Sequence, residues 1–299
     1  MIWIILGIIA TAGMIYYFTR NKKKEEKFSF GIIADVHRRG MFDNDGIRLH
    51  SSSSSSSGSS SNYCRTFAHI EEAVNDFNSM DLSFVIQLGD FIDPHPVDEA
   101  ESANCLRDLM PYWNNLNCNK FHVLGNHDAH ISDFDIRDIM GMDKKYYDFA
   151  IDGIDVRFVV MDQNDAGKIG EGGIGPQQSS WLHEVLNDCD ESNTTVVIFG
   201  HYPILKRASG GHSMLNPQPI MDLIKCHPSV AVYIAGHTHA YHYGFEDGVH
   251  HVSIHGMLED ENGYAVVDVT PKHLTINGIG AMSSVSLPYD SSMAVVTEC

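Results

Sequence analysis

Five apolar runs in this 299-residue chain end in side chains that can bind metal ions. They close as "IIADVH" (Asp35, His37), "IQLGDFID" (Asp90, Asp93), "HVLGNHD" (Asn126, His127, Asp128), "VIFGHYP" (His201) and "YIAGHTH" (His237, His239). Each is a hydrophobic segment, usually a glycine, then a carboxylate, amide or imidazole. A single aspartate after a strand is an ordinary helix cap, and a single Gly-His an ordinary turn. Repetition carries the inference, because other histidines among the 18, such as His122, His183 and His250, do not follow the pattern. Oxygen and imidazole donors without a thiolate suit Mn²⁺, Fe or Zn²⁺ in a mixed site better than a structural zinc cage. Asp35, His37, Asp90, Asn126, His201, His237 and His239 are too many ligands for one ion. With one carboxylate as a bridge they supply four contacts to each of two.

Such residues can meet only if the elements before them are arranged to aim them. Short apolar runs alternate with amphipathic stretches from residue 28 onward, the pattern of an α/β domain. In open α/β sheets ligands lie beyond the carboxyl ends of the strands, so the five ends can converge on one crevice. The glycines are expected to let the backbone turn tightly there. Strands are predicted over 28–37, 83–90, 120–128, 194–203 and 232–239, and a hairpin over 146–162 with Asp152-Gly153 as its turn. Helical spacing marks 63–77, 98–116, 175–188 (Pro176 in the first turn) and 216–226. Three β-like runs follow residue 246: "VHHVSIHGM", "GYAVVDVT" and "HLTINGIG".

Composition narrows the class. Hydrophobic residues make up 43% of the chain, enough for a substantial core, and neither an internal repeat nor a linker is visible after residue 28. One domain is expected over 28–285, with residues 38–62 as a loop insertion carrying "SSSSSSSGSSS" and 286–299 as a tail. Residues 28–299 hold 15 basic and 37 acidic side chains, which argues against a nucleic-acid partner. An anionic substrate must be drawn in locally, by metal ions or a few placed cations. Arg38 and Arg39, directly after the first ligand pair, are candidates for a substrate phosphate, as are Lys206 and Arg207; the plain alternative is solvated loop charge. The six cysteines are scattered, so reduced thiols are the default. Residues 2–18 carry no charge and precede "RNKKKEEK". That pattern predicts a single-pass membrane anchor with a cytoplasmic catalytic domain. A signal peptide cleaved near "ATA" at 10–12, and hence secretion, is the alternative, and the sequon at Asn193 points weakly that way.

Taken in order, D-x-H, G-D-x-x-D, G-N-H-D, G-H-x-P and G-H-x-H resemble the signature of the calcineurin-like metallophosphoesterases, over about residues 28–280. The resemblance implies a four-layer α/β/β/α sandwich with a dinuclear metal site at the strand carboxyl ends. Carried over by motif, Asp35, His37, Asp90 and His239 hold one ion, and Asp90, Asn126, His201 and His237 the other. His127 is then a non-ligand catalytic histidine oriented by Asp128, and the reaction is attack on phosphorus by a metal-activated hydroxide. Within the family, "CRTFAHIEEAVNDFN", "GPQQSSWL" and "HGMLEDENGYAVVDV" look most like the manganese-dependent ADP-ribose/CDP-alcohol diphosphatases, which commonly carry Gln where this chain has His37. A small nucleotide-derived substrate is implied, with Mn²⁺ the first choice of metal. Phosphodiesterase action on cyclic-nucleotide or phospholipid-type substrates is the alternative, and a non-catalytic binding module on the same fold a more distant one.

Overall fold

The computed structural model describes residues 27–39, 60–94, 99–259, 261–289 and 295–297. Its strands are β1 (Phe28–Ile33), β2 (Phe84–Gln87), β3 (Asn119–His122), β4 (Tyr147–Ala150), β5 (Val156–Val160), β6 (Thr195–Phe199), β7 (Val230–Ala235), β8 (His242–Glu246), β9 (Val249–Ser253), β10 (Gly263–Val269), β11 (His273–Gly280), β12 (Ser284–Pro288) and β13 (Val295–Thr297). The helices are α1 (Ser60–Asn78), α2 (Glu99–Trp113), α3 (Asp133–Met140), α4 (Pro176–Ser192) and α5 (Gln218–Lys225).

Two sheets form, one ordered β13-β12-β11-β10-β1-β2-β3 and the other β4-β5-β6-β7-β9-β8. Within the first, β1, β2 and β3 are parallel, and the C-terminal meander joins antiparallel to β1 through β10. Within the second, β5, β6, β7 and β9 are parallel. The sheets face each other across Phe30, Ile32, Phe84 and Ile86 on one side and Phe158, Val197, Phe199 and Ile234 on the other. Ile33 and Val85 point outward to Ile70 of α1 and Leu106, Leu109 and Trp113 of α2. On the opposite flank, Val159 and Ile198 meet Leu182 and Leu186 of α4 and Ile220 of α5. The result is the expected four-layer α/β/β/α sandwich. It explains the runs without polar alternation, since β2 and β7 are buried along their whole length and are apolar on both faces save Gln87, whose amide donates to Val123 O at 2.8 Å and whose Oε1 accepts from Gly89 N–H at 2.6 Å.

Local chemistry sets several boundaries. Pro176 opens α4, and Asn193 closes it in the left-handed conformation at φ 53°. The predicted hairpin forms as β4 and β5, with Gly153 at φ 92° in the turn. Four strands or helices escaped the sequence reading: β8, α3, β12 and β13. Strand β8, "HYGFE", has no apolar run and is held by pairing to β9. Helix α3 is only eight residues long, and its signals are caps: the Ser132 side chain accepts from Asp135 N–H, and Gly141 ends the helix at φ 68°.

Three expectations change or fall outside. The domain end expected at 285 lies inside β12, and pairing continues to Thr297, because β12 and β13 extend the meander that borders β1. The Ser-rich segment lies mostly at 40–59, outside the described residues. The predicted membrane anchor and cytoplasmic placement are corrected: among the described residues no helix is long and apolar enough to cross a membrane. Residues 2–18, on which both the anchor and the signal peptide rested, lie outside the described residues. Among the described residues Cys105, Cys118, Cys189 and Cys226 are reduced thiols.

Two predictions follow from this packing. Phe84 stacks on Phe30 at 4.5 Å and meets Phe121, Phe149 and Phe158 edge-on at 5.2–5.3 Å, joining the two sheets. Phe84→Ala is expected to lower unfolding free energy by about 3–5 kcal/mol in urea titrations. Burial also depresses the His122 and His251 imidazoles to about 3. Below the ordinary value near 6.5 the unfolded chain therefore takes up protons that these histidines refuse in the native state. Stability should fall as pH drops from about 6.5 towards 3, so the urea midpoint should be lower at pH 5 than at pH 7, and His122→Gln should flatten the decline.

Candidate metal centre

The five predicted strand ends lie together. Asp35 and His37 follow β1, Asp90 follows β2, Asn126 and His127 follow β3, His201 follows β6, and His237 and His239 follow β7. Beyond the ladders, β1 and β2 stay zipped: Asp35 N–H donates to Gly89 O at 3.1 Å and His37 N–H to Asp90 O at 2.9 Å. That pairing fixes the two carboxylates side by side. The two sheets are tied by His237 N–H, which donates to both Asp35 oxygens at 3.0 Å.

The backbone is bent at the functional residues themselves. Asp35, His37, Asp90, His237 and His239 all have φ between 51° and 70°, a region that non-glycine residues rarely enter. Glycine was expected to make tight turns here, and Gly89 does so at φ 94°, while Gly125 gives room. A Cβ on Gly125 would lie 2.1 Å from Asp90 Oδ1 and 2.3 Å from Asp90 N. No side chain fits there.

Among the described residues, three groups could each hold a cation: Asp35, His37 and His239; His37, Asp90 and His127; and Asp90, His201 and His237. His37 Nε2 lies 2.9 Å from His239 Nε2 and 3.6 Å from Asp90 Oδ2. His239 Nε2 is 3.7 Å from Asp35 Oδ1. On the other side, His201 Nε2 is 3.3 Å from Asp90 Oδ2, 3.1 Å from Asn126 Oδ1 and 3.2 Å from His237 Nδ1. Asp90 touches both halves. These donors fit two cations, since buried carboxylates and buried or partly buried imidazoles are drawn to within about 3–4 Å with few hydrogen-bond donors between them.

The electrostatics agree. Burial pushes Asp35 up to about 6, a carboxylate short of positive partners. Burial acts the same way on Asp90, but His201, His37 and His127 outweigh it and hold that carboxyl well below the usual range. Burial takes His37 and His237 down to about 3, leaving neutral imidazoles with free lone pairs. His201 goes the other way, to about 9, because the Asp90 charge overcomes its burial. Its Nδ1–H donates to Leu88 O at 2.8 Å, which aims Nε2 at Asp90.

His127 lies at the edge of this group, and here the sequence reading is corrected. Its Nδ1 bonds Asp93 Oδ1 at 2.9 Å, so Asp93 rather than Asp128 orients it. The Asp128 carboxylate is buried and turned to the backbone, accepting from Phe91 N–H at 3.0 Å, Ile92 N–H at 3.3 Å and Gly125 N–H at 2.9 Å. It staples the loop after β2 to the loop after β3. Burial opposes a proton on His127, but the Asp93 bond and the Asp90 and Asp93 charges raise its pKa.

The candidate substrate arginines divide. Arg38 is buried, its guanidinium 4.4 Å over the Phe67 ring and 3.6 Å from Asp108, so it packs α1 and α2 rather than facing the ligands. Arg39 is half-exposed and lies 3.4 Å from Asp93 Oδ2, beside the His127 pair. Arg207 pairs with Glu246 at 3.1 Å, and Lys206 is exposed in a short 3₁₀ turn. Asn164 was missed. Its amide donates to Leu124 O and Gly125 O, both at 3.1 Å, clamping the loop of Asn126 and His127. The signal was present: "FVVMDQN" is a sixth apolar run ending in polar residues, overlooked for want of a glycine.

Comparison with known proteins gives a family match. The calcineurin-like phosphoesterase family model covers residues 28–241. An Arabidopsis thaliana protein named manganese-dependent ADP-ribose/CDP-alcohol diphosphatase is 27% identical over 87% of this chain and 97% of its own. The Mus musculus protein of that name is 26% identical over 91% and 96%. A dimetal phosphatase from Danio rerio has the same fold, with a TM-score of 0.71 at 22% identity, covering 88% of this chain and 99% of that one.

The Asp128 staple makes a direct prediction. Asp128→Asn keeps the shape but turns an amide NH₂ towards one of three N–H donors. Unfolding free energy should fall by about 1–3 kcal/mol in urea titrations, the penalty for a buried donor left unmatched.

Proposed function

The chain belongs to the calcineurin-like phosphoesterase family, and on that premise we propose that it hydrolyses the pyrophosphate linkage of ADP-ribose or CDP-alcohol type substrates, using two manganese ions. The observation that carries this reading is the full donor set at the convergent strand ends, supported by relatives of that name along nearly the whole chain. Asp35, His37, Asp90 and His239 would hold one ion, and Asp90, Asn126, His201 and His237 the other, Asp90 serving both. Bound there, the pair supplies positive charge that activates a water and steadies the attacking and leaving oxygens at phosphorus.

The protein's own part is positional and protonic. Burial keeps His37 and His237 neutral, so their lone pairs are available at neutral pH. The Leu88 carbonyl sets the tautomer of His201. His127 stays outside the ligand set. With its Nδ1 held by Asp93, it presents Nε2 to the phosphoryl or leaving oxygen, and the Asp93 carboxylate favours a proton on the ring that it can donate. Arg39 steadies the Asp93 carboxylate at the mouth, where it also meets incoming negative charge. In a chain with an excess of acidic residues, the ions and this arginine are the local attraction for an anion.

The test is turnover of ADP-ribose, CDP-choline, a cyclic nucleotide, a model phosphodiester and a phosphopeptide by the purified chain with Mn²⁺. The two diphosphate compounds should be hydrolysed fastest; preference for the cyclic nucleotide or the diester would move the assignment to a phosphodiesterase. Asp90→Asn should abolish turnover. His127→Ala should lower kcat by about 10²–10⁴-fold with Mn²⁺ binding retained, and Asp93→Asn should act in the same sense but less.

A further inference from the structure

A metal-binding imidazole needs its second nitrogen held, because that bond fixes which nitrogen has the free lone pair and where it points. His201 has the Leu88 carbonyl for this. His239 has Glu259: its Nδ1 lies 3.0 Å from Glu259 Oε1, while its Nε2 faces His37 Nε2 and Asp35 Oδ1. Glu259 belongs to none of the strand-end motifs. It arrives on the turn 256–259 after β9, and that turn is bonded to the strand carrying Asp35. Met257 N–H donates to Ala34 O at 3.0 Å and Leu258 N–H to Asp35 O at 3.1 Å. His69 of α1 holds the turn from outside, its Nδ1 2.7 Å from Met257 O. The turn also lies against both ligands, since a Cβ on Gly256 would be 3.1 Å from Asp35 Cβ and from His239 Cα. Glu259 is thus fixed in the frame of Asp35 and His239 at once.

We propose that Glu259 is a positioning residue for His239, accepting its Nδ1–H so that Nε2 is aimed inward, and thereby setting the affinity of one of the two cation sites. This rests on the reading of His239 as a ligand. A carboxylate partner also makes the imidazole a better donor than a carbonyl partner does, because its charge favours positive charge on the ring. The Glu259 side chain is 44% exposed, so the bond itself adds little to folding. Its effect should appear in metal binding, not in the stability of the metal-free protein.

The experiment is Mn²⁺ titration of the chelator-stripped full chain, followed by calorimetry and by the electron paramagnetic resonance of free Mn²⁺. Glu259→Ala should weaken one of two affinities by about 10–100-fold, leaving the other and the metal-free melting temperature unchanged. Glu259→Gln, which accepts the bond without charge, should fall between. In a His239→Ala background, Glu259→Ala should change the remaining affinity no further. Two wild-type affinities in Glu259→Ala, or equal weakening of both, would overturn the proposal while leaving the dinuclear reading intact. A wild-type chain that takes up fewer than two ions would instead remove the reading and this proposal with it.

Discussion

Asp90 is 1% exposed, yet its carboxylate must remain charged among the imidazoles of His37, His127 and His201. Burying a charge is tolerable only where partners surround it, so those side chains have to arrive at one point from different elements. No single strand can deliver them. Two parallel sets of strands, one in each sheet, stop at the same level and turn their last residues inward. The hydrophobic contact between the sheets, centred on the Phe30, Phe84, Phe158 and Phe199 rings, holds the two levels in register.

Convergence has a conformational cost, and the chain bears it at the ligands. Five of the strand-end residues occupy left-handed backbone, and close approach leaves no room for a side chain at Gly125. Besides the bonds that Asp35 and Asp90 accept from His237 and His127 N–H, neighbouring polar groups supply the remedies. Asp128 gathers three N–H groups, Asn164 binds two carbonyls, and Gln163 brackets Tyr202 with a bond to its N–H and one from its own amide to the carbonyl. Each satisfies loop backbone that the strands cannot reach. These bonds over-determine the loops, so residues in sparsely populated conformations stay where the chemistry needs them.

The two halves of the site are not built alike. His201 is fully buried and held by a backbone carbonyl, whereas His239 lies nearer solvent and is held by a carboxylate from the C-terminal half. His127 faces the mouth with Asp93 behind it and Arg39 beyond. A buried inner half and a more accessible outer half suit a centre that meets an anion on one side.

Much of this could be read from residue order alone. Apolar runs closing in Asp, Asn or His are legible because burial and ligation each demand particular side chains, and the two demands fall at adjacent positions. That is why the seven candidate donors, an α/β domain and the β4–β5 hairpin were visible in the sequence, whereas the sandwich class followed from the family resemblance. Partnerships between distant side chains were not. Nothing in "GNHD" tells that Asp128 serves the backbone while Asp93, 34 residues earlier, serves His127. Nor does "RR" after the first motif tell that Arg38 stacks on Phe67 while Arg39 reaches Asp93. Strand β8 and the sheet edge formed by β12 and β13 depend on neighbours for their hydrogen bonds and have weak signals of their own. The sequence by itself determined which residues can bind cations and that strands present them. Only the tertiary structure decided which of them share a partner, because hydrogen bonds and ion pairs act over a few ångströms of space, whatever the separation along the chain.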